Sequence, residues 1–184
     1  GALFDLDGTL LDTEPLYDEA EQKIINLYGN GKIIEPEIKQ QLLGTPANIN
    51  CKLLIERYEV KLSVDEFIKM RDDLLIEPFR NCKFKKGAKK VVHKCKYELG
   101  LKSAIATGSS RFNFDNKVYN LKEWVNKYID VVVTSDNIKR GKPNPDIFIL
   151  AAQELGLRPS ECIVFEDGLP GVKAALSAGV KIVV

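Results

Sequence analysis

Leu3-Phe4-Asp5-Leu6-Asp7-Gly8-Thr9 opens the chain with an apolar run that ends abruptly in two carboxylates and a glycine. Such a run, without polar alternation, is what a strand buried on both faces looks like, and strands of that kind belong to parallel sheets covered by helices. Near the other end, Ile163-Val164-Phe165-Glu166-Asp167-Gly168 repeats the design. Working outward, three more strands are expected at Ser103 to Thr107, Val131 to Thr134 and Val180 to Val184, beside Ala2 to Asp5 and Ile163 to Glu166. Helices are expected at Ala88 to Leu99 before Gly100, at Pro145 to Leu155 before Gly156, and at Leu169 to Ala178 before Gly179. This alternation specifies an α/β fold with a parallel, Rossmann-like sheet. In such sheets ligands bind at the carboxyl ends of the strands, where the acidic residues of both runs lie.

One interval breaks the rhythm. About 100 residues separate Asp5 from Thr107, whereas a βαβ unit needs roughly 30, and an unstructured loop of that length is not credible. Leu16 to Tyr28, Glu37 to Leu43, Ala47 to Tyr58 and Val64 to Ile76 carry apolar residues three and four apart. Gly29-Asn30-Gly31, Gly44-Thr45-Pro46 and Pro78 mark the turns between and after them, and Ser63 with Glu66 forms a capping box. Residues 16–86 are therefore expected to form a helical domain inserted into a core built from residues 1–15 and 87–184.

Composition narrows the function classes. A chain of 184 residues, 45% hydrophobic and 29% charged, can bury one good core and an accessory module, and its net charge of +1 offers no general attraction to nucleic acid or an anionic membrane. The basic cluster Lys83, Lys85, Lys86, Lys89 and Lys90 is expected to be a solvated face. Cys51, Cys82, Cys95 and Cys162 have neither zinc-site nor disulfide-framework spacing. No apolar stretch approaches the roughly 18 residues of a membrane span, and no leader pattern is seen, so a cytoplasmic protein is expected. The chain starts and stops inside strand patterns, and further residues are expected beyond both ends.

The acidic stretches carry the chemistry. Asp5 and Asp7 suit a nucleophile paired with a general acid or base, although Asp-Gly alone also describes a solvated turn. With Glu166 and Asp167 brought near, four carboxylates would raise one another's pKa values, and a divalent cation resolves that conflict. Mg²⁺ suits an all-oxygen set without cysteine or histidine. Ile105-Ala106-Thr107-Gly108-Ser109-Ser110 offers a hydroxyl and accessible backbone N–H groups to an anion such as phosphate, or simply a helix cap. Gly141-Lys142-Pro143-Asn144-Pro145-Asp146 fixes one lysine between turn formers. His93, the single histidine, lies away from every motif, and Phe112, Phe114 and Trp124 are expected in the core or at the domain interface.

Taken in order, these motifs resemble the haloacid dehalogenase (HAD) superfamily, specifically the C1-capped phosphatases of its β-phosphoglucomutase-like branch. The resemblance covers essentially the whole chain: Asp5-Leu6-Asp7-Gly8-Thr9, Thr107, Lys142 and Glu166-Asp167 match its four motifs. It implies that Asp5 attacks phosphorus, forming an aspartyl-phosphate, while Asp7 protonates the leaving alcohol and then activates water. It implies further that Thr107, Lys142 and the Leu6, Gly8, Gly108 and Ser109 region hold the phosphoryl group. Mg²⁺ would be bound by Asp5, the Asp7 carbonyl, Asp167 and Glu166.

Asp12-Thr13-Glu14-Pro15-Leu16-Tyr17 is similar to the flap and hinge of the pseudouridine-5'-phosphatase group, as is Ser109-Ser110 with Phe112-Asn113-Phe114. Tyr17 replaces the cap histidine of β-phosphoglucomutases, which argues against a mutase. The expected substrate is a small phosphate ester, with pseudouridine 5'-phosphate leading and sugar or polyol phosphates second. A phosphotransferase or a catalytically silent binding module stands behind them. A monomer is expected, with a dimer as the alternative, and no nucleic-acid or membrane partner.

Overall fold

The computed structural model describes residues 1–42 and 44–184. Five parallel strands form one sheet: β1 (Ala2–Phe4), β2 (Ser103–Ala106), β3 (Val131–Val133), β4 (Ile163–Phe165) and β5 (Ile182–Val183), in the order β3-β2-β1-β4-β5. β1 is central, with Phe4 level with Ile105 on one side and Phe165 on the other. That register brings Asp5, Thr107 and Glu166 to one edge of the sheet, each just beyond the end of its strand. β1 to β4 each stop one residue short of the sequence expectation, just before polar Asp5, Thr107, Thr134 and Glu166, and β5 covers only the middle of the expected Val180 to Val184.

Helices α1 (Glu14–Tyr28), α2 (Pro36–Leu42), α3 (Ala47–Tyr58) and α4 (Val64–Arg80) lie between β1 and β2 in the chain. They bury a core of their own, in which Ile24, Ile25, Cys51, Leu54, Tyr58 and Phe67 are closed to solvent. α1 begins earlier than expected, because Pro15 sits in its first turn, where a missing N–H costs nothing. The expected end of α2 at Leu43 lies outside the described residues. Ser63 caps α4 as expected: its Oγ accepts from the Glu66 N–H, and its N–H donates to Glu66 Oε2 at 2.8 Å.

Pro78 does not end α4, which runs through it to Arg80. A proline this near a C-terminus costs one helical hydrogen bond, and the burial of Phe79 retains the last turn. Where the chain leaves and re-enters the core, the two links pair with each other. Asp12 N–H donates to Lys83 O at 2.8 Å and Lys85 N–H to Leu10 O at 2.9 Å, with Leu11 and Phe84 bridged antiparallel between them.

The remaining helices cover the sheet: α5 (Ala88–His93), α6 (Arg111–Lys117), α7 (Lys122–Tyr128), α8 (Asp146–Glu154) and α9 (Leu169–Ser177). The helix expected to Leu99 changes to π geometry over Lys94–Glu98, and Gly100, at φ +62°, closes it. Ile147, Phe148, Ala151, Ala174 and Ala175 pack one sheet face, and Leu10, Ala88, Val92, Phe114 and Val125 belong to the cluster on the other. Phe114 is buried as expected, but Phe112 is 52% exposed because it lies on the outer side of the short helix α6. Trp124 is half-buried and packs on Phe84 and Tyr128. The basic cluster is largely exposed, His93 is a surface residue beside Tyr97 and Tyr128, and all four cysteines are free thiols. Among the described residues no helix is long and apolar enough to cross a membrane.

Candidate active site

Asp5 is the first residue beyond β1 and is buried at the carboxyl edge of the sheet. Lys142, also buried, donates from Nζ to Asp5 Oδ1 at 2.5 Å and to Glu166 Oε2 at 2.6 Å. The other Glu166 oxygen accepts the Gly168 N–H at 3.0 Å, so this carboxylate is engaged on both sides and serves to orient the lysine. Gly171 makes room for it: a Cβ there would fall 2.0 Å from Glu166 Cδ. Burial pushes Asp5 up to about 8, with Glu166 and Asp7 adding to the shift and Lys142 opposing it.

Asp167, next along the chain, is exposed and accepts from Thr9 Oγ1 at 2.9 Å. Its carboxylate crosses the Asp7-Gly8 turn so closely that a Cβ on Gly8 would meet Oδ2 at 2.1 Å, and Gly8 also has φ +79°. Glycine is required there on both counts. Oxygens of Asp5, Glu166 and Asp167 lie within 4.8 Å of one another. A hard, all-oxygen set of this charge, with one member driven toward its protonated form chiefly by burial, fits a magnesium ion. The Gly8 N–H donates to Leu11 O at 2.9 Å, inside the turn, and the Leu6 side chain is buried in the core.

Asp7 faces the cap. Its Oδ1 accepts from Thr13 Oγ1 at 2.6 Å and Lys117 Nζ at 2.5 Å, and its Oδ2 from Ser109 Oγ at 2.8 Å and Thr107 Oγ1 at 3.4 Å. Burial would raise this carboxyl, but the Lys117 charge and the hydrogen bonds outweigh it and hold the group below its ordinary value. Thr107 is fully buried and also accepts the Ser109 N–H at 3.1 Å. Gly108 and Ser109 line the cleft. The structure thus brings Asp5, Lys142, Glu166 and Asp167 together, with Asp7, Thr107 and Ser109 in an adjoining network.

Lys117 was not among the residues singled out from sequence. It is wholly buried, donates to Tyr17 OH at 3.0 Å and Ser109 Oγ at 2.6 Å, and lies over the rings of Phe79 and Tyr17 at 4.6 and 5.1 Å. The signal available was its place three residues after Phe114 and one before Val118, on the apolar side of α6. Above the network, a cleft of 640 Å³ separates the sheet edge from α1 to α4.

Residues 2–184 match the family model described as haloacid dehalogenase-like hydrolase. The chain belongs to this HAD-like hydrolase family. A relative named "Probable pseudouridine-5'-phosphatase" from Saccharomyces cerevisiae is 34% identical, over 98% of this chain and 80% of its own length. "Phosphorylated carbohydrates phosphatase" from Thermotoga maritima is 33% identical, over 97% of this chain and 81% of its own. Among solved structures, CbbY from Rhodobacter sphaeroides in complex with phosphate superposes with a TM-score of 0.83 at 25% identity, covering 99% of this chain and 84% of that one. The HAD-like core explains why the motifs, far apart in the chain, converge at one sheet edge.

Proposed function

We propose that this HAD-like phosphatase of small phosphorylated metabolites works in the cytoplasm through an aspartyl-phosphate on Asp5, with Mg²⁺ as cofactor and pseudouridine 5'-phosphate as its leading substrate. The observation that carries the mechanism is the buried Asp5–Lys142–Glu166 chain beside Asp167. Lys142 occupies Asp5 Oδ1, which leaves Oδ2 to attack phosphorus. As that bond forms, the bond from phosphorus to the leaving oxygen breaks, and Asp7 supplies the proton the leaving alcohol needs from its protonated form, a minor one because the Lys117 charge favours the carboxylate. Asp7 then takes a proton from water, whose oxygen attacks phosphorus; the bond to Asp5 breaks and inorganic phosphate is released.

Asp5, Asp167 and the Asp7 carbonyl would hold Mg²⁺, with Glu166 helping directly or through water. When bound, the ion offsets charge between two anions, nucleophile and phosphate, so that they can approach. Thr107, Lys142 and the Gly108-Ser109 backbone are assigned to the transferring phosphoryl group. Residues 16–86 are assigned as the cap that excludes water, over a core of residues 1–15 and 87–184. A second reading, a sugar- or polyol-phosphate phosphatase, is favoured by the Thermotoga maritima relative, whose name specifies phosphorylated carbohydrates.

The test is phosphate release with Mg²⁺ from pseudouridine 5'-phosphate, uridine 5'-phosphate, sugar phosphates and glycerol phosphates, with Asp5→Asn as the blank. A dominant kcat/KM for pseudouridine 5'-phosphate is expected. A broad profile would favour the second reading, and full activity in a folded Asp5→Asn protein would remove the nucleophile assignment.

A further inference from the structure

The cap side of the cleft carries charge, but its cations are already occupied. Lys39 on α2 donates to Asp18 Oδ2 on α1 at 2.6 Å. Arg71 on α4 is buried and held on every side: Nε and Nη2 donate to Asp72 Oδ1 at 3.3 and 3.0 Å, Nη1 lies 3.5 Å from Cys51 Sγ and 3.7 Å from Glu21 Oε1, and the guanidinium covers the Tyr17 ring at 5.3 Å. Three carboxyl groups therefore stand against two cations among these residues, all of which line the cleft except Cys51. Across the cleft, Lys142 is committed to Asp5 and Glu166. Lys139 lines the core-side rim but is exposed, where its field is spread into solvent.

The rest of the cap wall adds one more carboxyl, Glu14, and no further cation; it mixes the uncharged polar residues Gln40, Thr45, Asn48 and Asn50 with apolar Leu42, Pro46 and Ile68. Asn50 Nδ2 donates to the Leu42 and Thr45 carbonyls, which fixes the amide so that Oδ1 is an acceptor, and among the described residues Oδ1 has no donor. On the opposite wall Asn113 Oδ1 is likewise without one. Both oxygens are covered, so a small turn of each amide is needed to offer them to a ligand carrying hydroxyl or N–H donors.

We infer that the leaving group this enzyme selects is uncharged and hydroxylated or N–H-bearing, and that the Asp18–Lys39 and Arg71–Asp72 pairs exclude esters whose leaving group carries a carboxylate or a second phosphate. An anionic leaving group would lose water and meet carboxylates without gaining a free cation, and like charges set against each other reject the wrong partner. The inference rests on the phosphomonoesterase reading and deepens it. It groups nucleosides and neutral sugars together, and it sets bisphosphates and phospho-acids apart.

Matched pairs test it: glycerol 3-phosphate against 3-phosphoglycerate, and glucose 6-phosphate against 6-phosphogluconate, by phosphate release with Mg²⁺. The neutral member of each pair should be favoured about tenfold or more in kcat/KM. Asp18→Asn, at a half-exposed pair, frees Lys39 and should narrow that ratio at least about threefold, mainly by raising activity on the acid. A folding defect does not produce such a gain, and an unchanged melting temperature checks the fold. Equal or preferred turnover of the acids, or a ratio unmoved in Asp18→Asn, overturns the inference while leaving the phosphatase reading standing. No release from any of the four esters, and none from pseudouridine 5'-phosphate in the same assay, overturns both.

Discussion

Lys117 joins Asp7, the proposed acid–base, to the inserted helices: one ammonium group reaches Asp7 and Ser109 on the sheet side and Tyr17 OH on α1. Its charge is the largest influence drawing the Asp7 carboxyl down, so removing it changes the position and protonation of that carboxyl together. Lys117→Met keeps the volume between Tyr17 and Phe79 and deletes the ammonium. Phosphate-release kinetics should show kcat reduced about 10- to 100-fold, with KM changed much less, as expected for a displaced catalytic group. Gly171→Ala should fail differently. Its Cβ collides with Glu166, and overpacking of about 1–3 kcal/mol should lower the melting temperature and, by displacing Lys142, the activity as well. Asp5, Asp7, Glu166 and Asp167 were legible in the sequence because each follows an apolar run that can only be a strand. Lys117 was not, because its burial depends on Tyr17 and Phe79, which are separated from it by long stretches of chain.

α4 carries both a local rule that held and one that gave way. The Ser63–Glu66 box starts the helix as its spacing demands, and Ser63→Ala should cost about 1 kcal/mol, read as a lower midpoint in urea denaturation. Pro78 should have ended the helix by local preference, but the burial of Phe79 outweighs one lost hydrogen bond. The short helices α6 and α7 escaped sequence reading: in α6 Phe112 and Phe114 stand two apart, a strand-like spacing, and in α7 only Trp124, Val125 and Tyr128 mark an apolar side. Between α1 and α4, burial raises Glu21 from 4.5 to about 7, against the pull of Arg71. A carboxyl raised on folding binds more protons in the native state. Its contribution is therefore complete below about 4.5 and is lost as pH climbs through about 7. Glu21→Gln should remove that loss, gaining up to about 3 kcal/mol on wild type across this window in denaturant titrations at successive pH values.

The molecule as a whole gathers its acidic edge from β1, β4 and the turns after them, and an ion held there should tie these pieces together. Mg²⁺ at a hundredfold excess over its Kd should add about 2.7 kcal/mol. For a chain of this size that corresponds to a rise of about 5–10 °C in Tm. EDTA should reverse the shift, and Asp167→Asn, changed at an exposed position, should abolish most of it. Scanning calorimetry reads all three. The α/β order and the inserted helices were legible because strand runs and helical spacing are local. The cleft was not, since its walls come from α1 to α4 on one side and from the loops after β1, β2, β3 and β4 on the other.

The paired links at Leu11 and Phe84 have a consequence for how such a molecule can be remodelled. Seen from the sheet, the whole insertion is the tip of a hairpin, since neighbouring antiparallel strands stand only about 5 Å apart. The entropy of closing a loop grows only logarithmically with its length, so a longer, shorter or foreign tip should cost the host little. The chemistry proposed for Asp5 and the proposed choice of what it acts upon would thus be built on parts that can be exchanged independently, at one seam.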